Sequence, residues 1–258
     1  MTIDMHTHTS ELSHCSFMSA EQLLKAAVDI GLDAVVITDH HRFRSCEEME
    51  KLKRKFPDLR VFQGIEITTP YRGAYEGEDF LLYGVYDPIL EEQRSWTYEE
   101  LYSLTRQWDG WITLAHPFRY KNHISEDIES LVPDAIEIHS SSIYRGDTPT
   151  IMDIANRLNC RPFHSSDSHR TNEVGIYYMQ LPTAVNSEKE LIETLRAGDI
   201  RLHERTACID EINRFTKNQE NLIRKMIKQG KTASEYAEET GRWEIYFEKV
   251  AMGKSYEI

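Results

Sequence analysis

The 258-residue chain is long enough for one large domain with a single core, and an α/β barrel of roughly 250 residues is an ordinary size for that class. Hydrophobic residues make up 40% and charged residues 28% of the chain, which excludes a disordered or fibrous protein. The net charge of −13 argues against binding of long nucleic acid through a basic face. Bound divalent cations would still make a pocket attractive to a small anionic substrate.

The sequence carries no signal for membrane insertion or for disulfide bonds. No run approaches the ~18 apolar residues of a membrane span, and the residues before His6 lack the basic and apolar regions of a signal peptide. The cysteines, which form no CxxC pair, are Cys15, Cys46, Cys160 and Cys208. We therefore expect a protein of the reducing cytoplasm that does not contact a membrane.

Short apolar, β-branched runs alternate with helical segments over the first two thirds of the chain, a pattern typical of parallel strands with helical crossovers. Seven strands are predicted, at Ile3 to His6, Ala34 to Thr38, Val61 to Ile67, Phe80 to Val85, Trp111 to Ala115, Ala135 to His139 and Arg161 to Ser165. Capping boxes at Ser19 to Gln22 and at Thr97 to Glu100 mark the starts of two helices. Seven such strand–helix units, with the polar residues described below, favour a closed or nearly closed α/β barrel over an open doubly wound sheet.

Beyond Leu181 the pattern changes to helices. They are predicted from Ser187 to Gly198, from Ile209 to Gln229 and after the capping box that begins at Thr232. No linker or internal repeat separates this part. We predict one domain over residues 1–258, with a core at about 3–200 and a C-terminal helical extension at about 205–258.

Histidines and carboxylates recur at the carboxyl ends of the predicted strands, while strand four contributes none. They are His6, His8, His40, Glu66, His116, His139, Asp167 and His169. Barrel enzymes assemble their active sites at this end, whereas core histidines would have no reason to prefer it. The sequence therefore predicts a metal cluster.

The local spacing of these residues suits shared metal ions. His6-Thr7-His8 directs both imidazoles to one face of a strand, and Asp167-Ser168-His169 repeats that spacing with a carboxylate. Imidazoles with a few carboxylates suit Zn²⁺, Mn²⁺ or Fe²⁺, whereas Mg²⁺ and Ca²⁺ sites are richer in oxygen. Ions roughly 3.5–4 Å apart would supply a bridging hydroxide as a nucleophile.

Five motifs resemble, in order, those of the PHP family, which is named for polymerase and histidinol phosphatase. They are Asp4-Met-His-Thr-His-Thr9, Val36-Ile-Thr-Asp-His40, Gly64-Ile-Glu66, Leu114-Ala-His-Pro117 and Ser165-Ser-Asp-Ser-His169. The resemblance covers about Ile3 to Gly198. It implies a metal-dependent phosphoesterase on a distorted (β/α)7 TIM-like barrel.

The resemblance also implies a set of ligands for two or three divalent ions. The nine ligands would be His6, His8, His14, His40, Glu66, His116, His139, Asp167 and His169. Glu66 would bridge a first ion, held with His6, His8 and Asp167, and a second, held with His116 and His139. The third would lie between His14, His40 and His169, with His14 standing where many relatives have an aspartate. The neighbouring Cys15 could ligate metal in principle, but it is interpreted as a small buried thiol.

Three further residues are candidates for the chemistry. Asp39 is expected to orient a ligand histidine from behind. Arg119 and Arg170 stand beside His116 and His169, and a guanidinium offers a planar fork of donors to phosphate oxygens. We expect these arginines to bind the substrate phosphate, with a surface salt bridge as the alternative.

The expected function is hydrolysis of a phosphate monoester of a small metabolite or nucleotide by attack of the metal-bridging hydroxide. Three alternatives stay open at this point: a 3′–5′ exonuclease or phosphodiesterase acting on nucleotides or short oligonucleotides, an amidohydrolase, and a non-catalytic metal-binding domain. Loops at Thr69 to Tyr75 and Phe118 to Ser125 are expected to cover the pocket and to set substrate choice. The sequence does not indicate the oligomeric state.

Overall fold

The computed structural model describes residues 1–69, 77–92, 94–119 and 123–258. Of the two predicted pocket loops, Thr69 to Tyr75 lies outside these residues except for Thr69, and Phe118 to Ser125 lies outside them at 120–122. None of the helices in the described ranges has the length and apolar character needed to cross a membrane.

The described residues form nine strands that join into one sheet. The strands are β1 (Thr2–Thr7), β2 (Ala34–Ile37), β3 (Arg60–Thr68), β4 (Asp79–Tyr83), β5 (Trp111–Leu114), β6 (Ala135–His139), β7 (Arg161–His164), β8 (Tyr177–Gln180) and β9 (Arg201–Glu204). Their order in the sheet is β7-β6-β5-β4-β3-β2-β1-β8-β9. The mixed α/β architecture of a nearly closed, barrel-like sheet with helices is confirmed.

Helices connect or follow these strands. They are α1 (Ala20–Asp29), α2 (Cys46–Lys55), α3 (Tyr98–Gln107), α4 (Glu126–Ser130), α5 (Thr148–Leu158), α6 (Glu188–Ala197), α7 (Thr206–Lys228), α8 (Ala233–Thr240) and α9 (Glu244–Ala251), with a short 3₁₀ helix at Pro88–Glu91. The predicted capping boxes are present, since Ser19 and Thr97 each accept the N–H three residues on. The extension beyond residue 205 is helical, as predicted, and the assignment of the whole chain to one domain stays a prediction.

Two strands were not predicted. β8 pairs antiparallel with β1, and β9 pairs antiparallel with β8. The β9 sequence Arg201-Leu-His-Glu204 is short, polar and at least partly exposed at every position, so it lacks the apolar run that identifies a strand. The two strands extend the barrel beyond the seven expected ones.

The expectation of uniformly parallel strands is wrong for β4, which runs antiparallel to both β3 and β5. The chain between Thr68 and Asp79 is shorter than the ~12 residues that a crossover between parallel strands requires. In the β3–β4 ladder Thr68 pairs with Asp79. The first residue of β4 therefore lies at the same edge of the sheet as the carboxyl end of β3.

The sheet ends at β7 and β9, and side chains bridge the seam between them. His164 Nδ1 lies 3.2 Å from the carbonyl oxygen of His203. The His139 ring stacks on Tyr177 at 5.1 Å and meets the edge of His164 at 4.9 Å. Imidazole and phenol rings thus occupy the place of a further ladder of backbone hydrogen bonds.

We expect this seam to weaken in acid. Burial lowers the pKa of His164 from 6.5 to about 4, with His139 nearby adding to the effect. Because the unfolded chain takes up this proton first, the folded state loses stability as pH falls from 6.5 towards 4, by up to about 3 kcal/mol. Urea unfolding across this range should show a smaller loss for His164→Asn, which cannot titrate. Equal losses in wild type and variant would contradict this assignment, and His123→Asn at an exposed histidine serves as the control.

Candidate metal centre

Four buried donors converge between the ends of β1, β3 and β7. His6 Nε2 and His8 Nε2 lie 2.9 Å apart. Glu66 Oε2 is 3.2 and 3.0 Å from these nitrogens, and Asp167 Oδ1 is 3.3 Å from each. All four side chains are 0% exposed. Two imidazole nitrogens facing each other with two carboxylate oxygens form a donor set suited to one divalent cation.

A second group of donors shares Glu66. Its other oxygen, Oε1, lies 2.9 Å from His116 Nε2. Asp79 Oδ2 and Asp167 Oδ2 lie 3.8 and 3.9 Å from the same nitrogen. Because each carboxylate of Glu66 and Asp167 directs one oxygen to each group, both can bridge two neighbouring cations.

Asp79 was missed in the sequence because only the carboxyl ends of strands were searched. As the first residue of the antiparallel β4, it lies at the same edge of the sheet. It is buried, and Thr68 Oγ1 donates a hydrogen bond to its other oxygen. Burial, with Glu66 nearby, raises the pKa of Asp79. The short β3–β4 connection was the signal that could have identified it.

A third group adjoins the first on the side of His8. Ligand atoms of His8, Cys15, His40 and His169 all lie within 4.8 Å of one another. His40 Nδ1 is also 3.2 Å from Glu66 Oε2. Burial lowers the pKa values of His40 and His169 to about 3, so both imidazoles are neutral and have a lone pair to offer.

The electrostatics of the cluster fit bound cations. Both oxygens of Asp167 are buried without a hydrogen-bond partner among the described residues, which is costly for a carboxylate unless a cation binds it. Burial alone would raise the pKa of Glu66, but the imidazoles of His40, His6 and His116 hold it well below its usual range. Burial opposes protonation of His8, yet Asp167 and Glu66 raise its pKa to about 9. Protons on His6 and His8, whose pKa values are raised, therefore balance the carboxylates where metal ions could do so.

Glu137, another residue not identified from the sequence, contacts two residues of the cluster, His6 and His116. Its carboxylate lies 2.9 Å from His6 Nδ1 and accepts hydrogen bonds from the His116 N–H at 2.7 Å and from Ser165 Oγ. A carboxylate behind a histidine fixes the tautomer, so Nε2 of His6 is left to face the other donors. Glu137 lies within a strand, where no motif distinguishes it.

The backbone contributes to this geometry at two ligands. His116 has φ 22° and Asp167 has φ 50°, and both follow the ends of their strands. Positive φ values are uncommon for residues other than glycine and concentrate at functional sites. Here positive φ values occur at two candidate ligands that follow strands at the end of the barrel where the donors converge.

The PHP domain family matches residues 4–150, which is more than half of the chain. The chain belongs to the PHP family. The PHP-associated C-terminal family matches residues 150–200. No curated protein matches the sequence.

Solved structures show that this PHP fold recurs at low sequence identity. A structure from Bifidobacterium adolescentis described as a candidate metal-dependent phosphoesterase has a TM-score of 0.56 at 14% identity, over 76% of this chain and 96% of that one. A two-domain protein from Bacteroides vulgatus that contains a predicted PHP-like metal-dependent phosphoesterase gives 0.59 at 14% identity, over 80% and 65%. An amidohydrolase from Chromobacterium violaceum, with bound sulfate and no metal, gives 0.56 at 13% identity, over 79% and 98%.

Two of the nine ligands implied by the PHP resemblance lie apart from these groups. His14 is exposed. The interpretation of the adjacent Cys15 as a buried thiol is wrong, because this residue is also exposed and has its ligand atom within the third group. His139 stacks on Tyr177 at the seam instead. A register shift between Glu137 and His139 breaks the alternation of β6, so that Glu137 faces the centre while His139 packs against the seam.

Asp39 is separated from the candidate metal centre of this PHP domain by one residue, Ser13. It accepts hydrogen bonds from Thr9 and Ser13, and Ser13 Oγ in turn lies 3.3 Å from His8 Nδ1. Its contact with a ligand histidine therefore runs through Ser13. This arrangement is compatible with an orienting role, which stays a prediction.

The two candidate arginines differ in position. Arg119 Nη1 lies 3.4 Å from His116 Nε2 and 3.6 Å from Asp167 Oδ2, at the rim of the second group. Arg170 instead pairs with Glu173 at 3.3 Å and extends over the exposed ring of Phe17. On α9, Lys249 donates a 2.8 Å hydrogen bond to the carbonyl oxygen of Arg119. Of the two guanidinium groups, Arg119 is the one beside the cluster.

Proposed function

We propose that the chain hydrolyses a phosphate monoester of a small metabolite or nucleotide at this centre. The observation that carries the proposal is the placement of Arg119, whose guanidinium stands at the rim of the buried cluster of imidazoles and carboxylates. A guanidinium at the edge of a cation site suits an anion that binds both.

The ligand set follows from the three groups. His6, His8, Glu66 and Asp167 would hold one ion, while His116 and Asp79 would hold a second, bridged through Glu66. His40 and His169 would contribute to a third. The mixture of imidazoles and carboxylates suits Zn²⁺, Mn²⁺ or Fe²⁺.

Divalent ions bound here would lower the pKa of water to near neutrality and would stabilise negative charge on the phosphoryl oxygens. The residues of the chain provide the positioning. Glu137 holds His6 in the tautomer that directs Nε2 into the cluster, and the buried walls exclude bulk water from one side. Arg119 would bind a non-bridging phosphate oxygen and orient phosphorus for in-line attack.

We expect Arg119→Met to lower kcat/KM for the preferred phosphate ester about 100-fold, because one charged donor to the phosphate is lost. Arg170→Met should stay within about threefold, since the Arg170 side chain is more than half exposed and pairs with Glu173 instead of the cluster. Phosphate release from a panel of sugar phosphates, mononucleotides and histidinol phosphate measures both. Equal losses in the two variants would refute the assignment of Arg119.

The same panel decides between the proposal and its rivals when it is extended to phosphodiesters, short oligonucleotides and amides. The family and the Chromobacterium violaceum structure, described as an amidohydrolase with bound sulfate, make these comparisons necessary. Cleavage of amides without phosphate release would overturn the proposal. Release only from diester substrates would reassign the chain to the phosphodiesterases.

A further inference from the structure

We propose that the thiolate of Cys15 is a ligand of the third cation position, together with His40 and His169, and that it gives this position a preference for soft divalent ions. The inference rests on the metal centre of the proposed function and extends it. It concerns a residue of this chain that the family resemblance does not place in the centre.

The geometry of the third group supports this assignment. One ligand atom each from His8, Cys15, His40 and His169 lies within 4.8 Å of the other three. The rings of His40 and His169 both stack on His8, with centroids 4.6 Å away. His8 is already a donor of the first group, so Cys15, His40 and His169 are the donors left to hold a further ion, and two imidazoles with one thiolate are a zinc-type donor set.

An independent observation concerns Asp167. Its carboxylate is fully buried, both of its oxygens lack a hydrogen-bond partner in the described part of the chain, and Oδ1 lies 3.6 Å from His169 Nδ1. A buried carboxylate without a hydrogen bond from the described residues, contacted by His6 and His8 at 3.3 Å and by Arg119 at 3.6 Å, indicates that this part of the centre suits a cation. The backbone oxygen of Asp167 lies 2.9 Å from the same nitrogen, which leaves Nε2 of His169 to act as the ligand.

The loop after β1 accounts for the presence of Cys15, and not of His14, in the third group. Ser13 is buried between Asp39 and His8, and Ser16 Oγ donates to the carbonyl oxygen of His8, so the two serines fix the turn on either side. The exposed His14 and Cys15 lie between these anchors, and only Cys15 has its ligand atom within the group. The imidazole of His14 is left at the surface.

A thiolate ligand changes which ion is held. Sulfur favours Zn²⁺, Co²⁺ or Fe²⁺ over Mn²⁺ and Mg²⁺, whereas the carboxylate-rich second group discriminates less. Coordination also replaces the thiol proton by the cation, so one proton passes to solvent for each Cys15 that binds. Because Cys15 lies at the exposed side of the centre, the third ion is expected to dissociate before the two at the buried groups.

Cobalt substitution of the full chain tests the proposal. The Co²⁺-loaded protein should show a near-ultraviolet thiolate-to-cobalt charge-transfer band, and Cys15→Ser should remove both the band and one equivalent of cobalt. Cys46→Ser, at the other exposed cysteine, and His14→Ala should retain both. A band that persists in Cys15→Ser, or the loss of one equivalent in His14→Ala but not in Cys15→Ser, would overturn the assignment.

A second variant separates ligation from folding. Cys15→Asp supplies an oxygen ligand at the same position, so it should keep the cobalt stoichiometry, lose the band and lower the preference for Zn²⁺ over Mn²⁺ by about tenfold or more. An unchanged preference would contradict the proposal. A charge-transfer band without phosphate release would refute the proposed function alone, whereas phosphate release without any band would refute the role of Cys15 alone.

Discussion

Replacement of Glu66 by glutamine is expected to lower phosphate release by roughly 10³-fold or more, because several kcal/mol of metal-dependent stabilisation are lost at once. The two oxygens of Glu66 reach four imidazoles, with Oε2 near those of His6, His8 and His40 and Oε1 near that of His116. Glutamine keeps the shape but removes the charge, and its amide nitrogen cannot bind a cation. Metal analysis of the purified variant should show that most bound metal is lost.

The control for this prediction is Glu47→Gln, which makes the same chemical change at an exposed position in the first turn of α2. It should retain both metal and activity. Full metal content in Glu66→Gln together with wild-type turnover would remove Glu66 from the centre. Circular dichroism of the variant would establish that the loss is not due to unfolding.

The largest effect on stability is expected at Asp4, which lies on β1 next to the centre. Its fully buried carboxylate accepts hydrogen bonds from Ser166 N and Oγ and from the Gly175 N–H at 2.9 Å. In Asp4→Asn the amide nitrogen must face a donor, so a buried N–H or O–H loses its partner, and we expect the free energy of unfolding to fall by roughly 2–4 kcal/mol. Because Ser166 precedes Asp167, metal affinity should fall as well.

The measurement should be made well above pH 6, where Asp4 is ionised, since burial raises its pKa to about 6. Ionisation of this buried carboxyl costs the wild type some stability, and the expected loss in Asp4→Asn is net of that cost. Asp33 offers a matched control, because its carboxylate also accepts backbone and side-chain hydrogen bonds, both from Thr2, but at an exposed site. Asp33→Asn should cost less than about 1 kcal/mol, as water can replace the lost contacts. Similar losses in the two variants would show that burial of Asp4 does not determine the fall in the free energy of unfolding.

Much of the centre could be predicted because a strand end fixes both the place and the direction of a side chain. His6, Glu66 and Asp167 follow apolar runs that end at one edge of the sheet, so counting along the sequence was enough to place them. The ligand roles themselves stay predictions. The same reasoning could not place Asp79, whose strand runs the other way.

The remaining differences arise where the backbone departs from regular alternation. A register shift in β6 separates the directions of Glu137 and His139, and no sequence rule locates such a bulge. Whether His14 or Cys15 has its ligand atom within the third group depends on how Ser13 and Ser16 anchor the turn. These are tertiary effects, and a single sequence contains no periodic signal for them.

The hairpin of β3 and β4 links the chemistry of the centre to the specificity of folding. The residues of β4 alternate between two apolar clusters, with Phe80 and Leu82 in one and Leu81 and Tyr83 in the other. The hydrophobic pattern of a strand that is apolar on both faces does not specify its register, since a shift by one residue would still bury apolar side chains. The polar pair of Thr68 and Asp79 distinguishes the native alignment from its neighbours. Asp79 is therefore suited both to binding an ion and to favouring the native strand pairing. A relative that no longer binds an ion at this position would still be under selection to keep the aspartate.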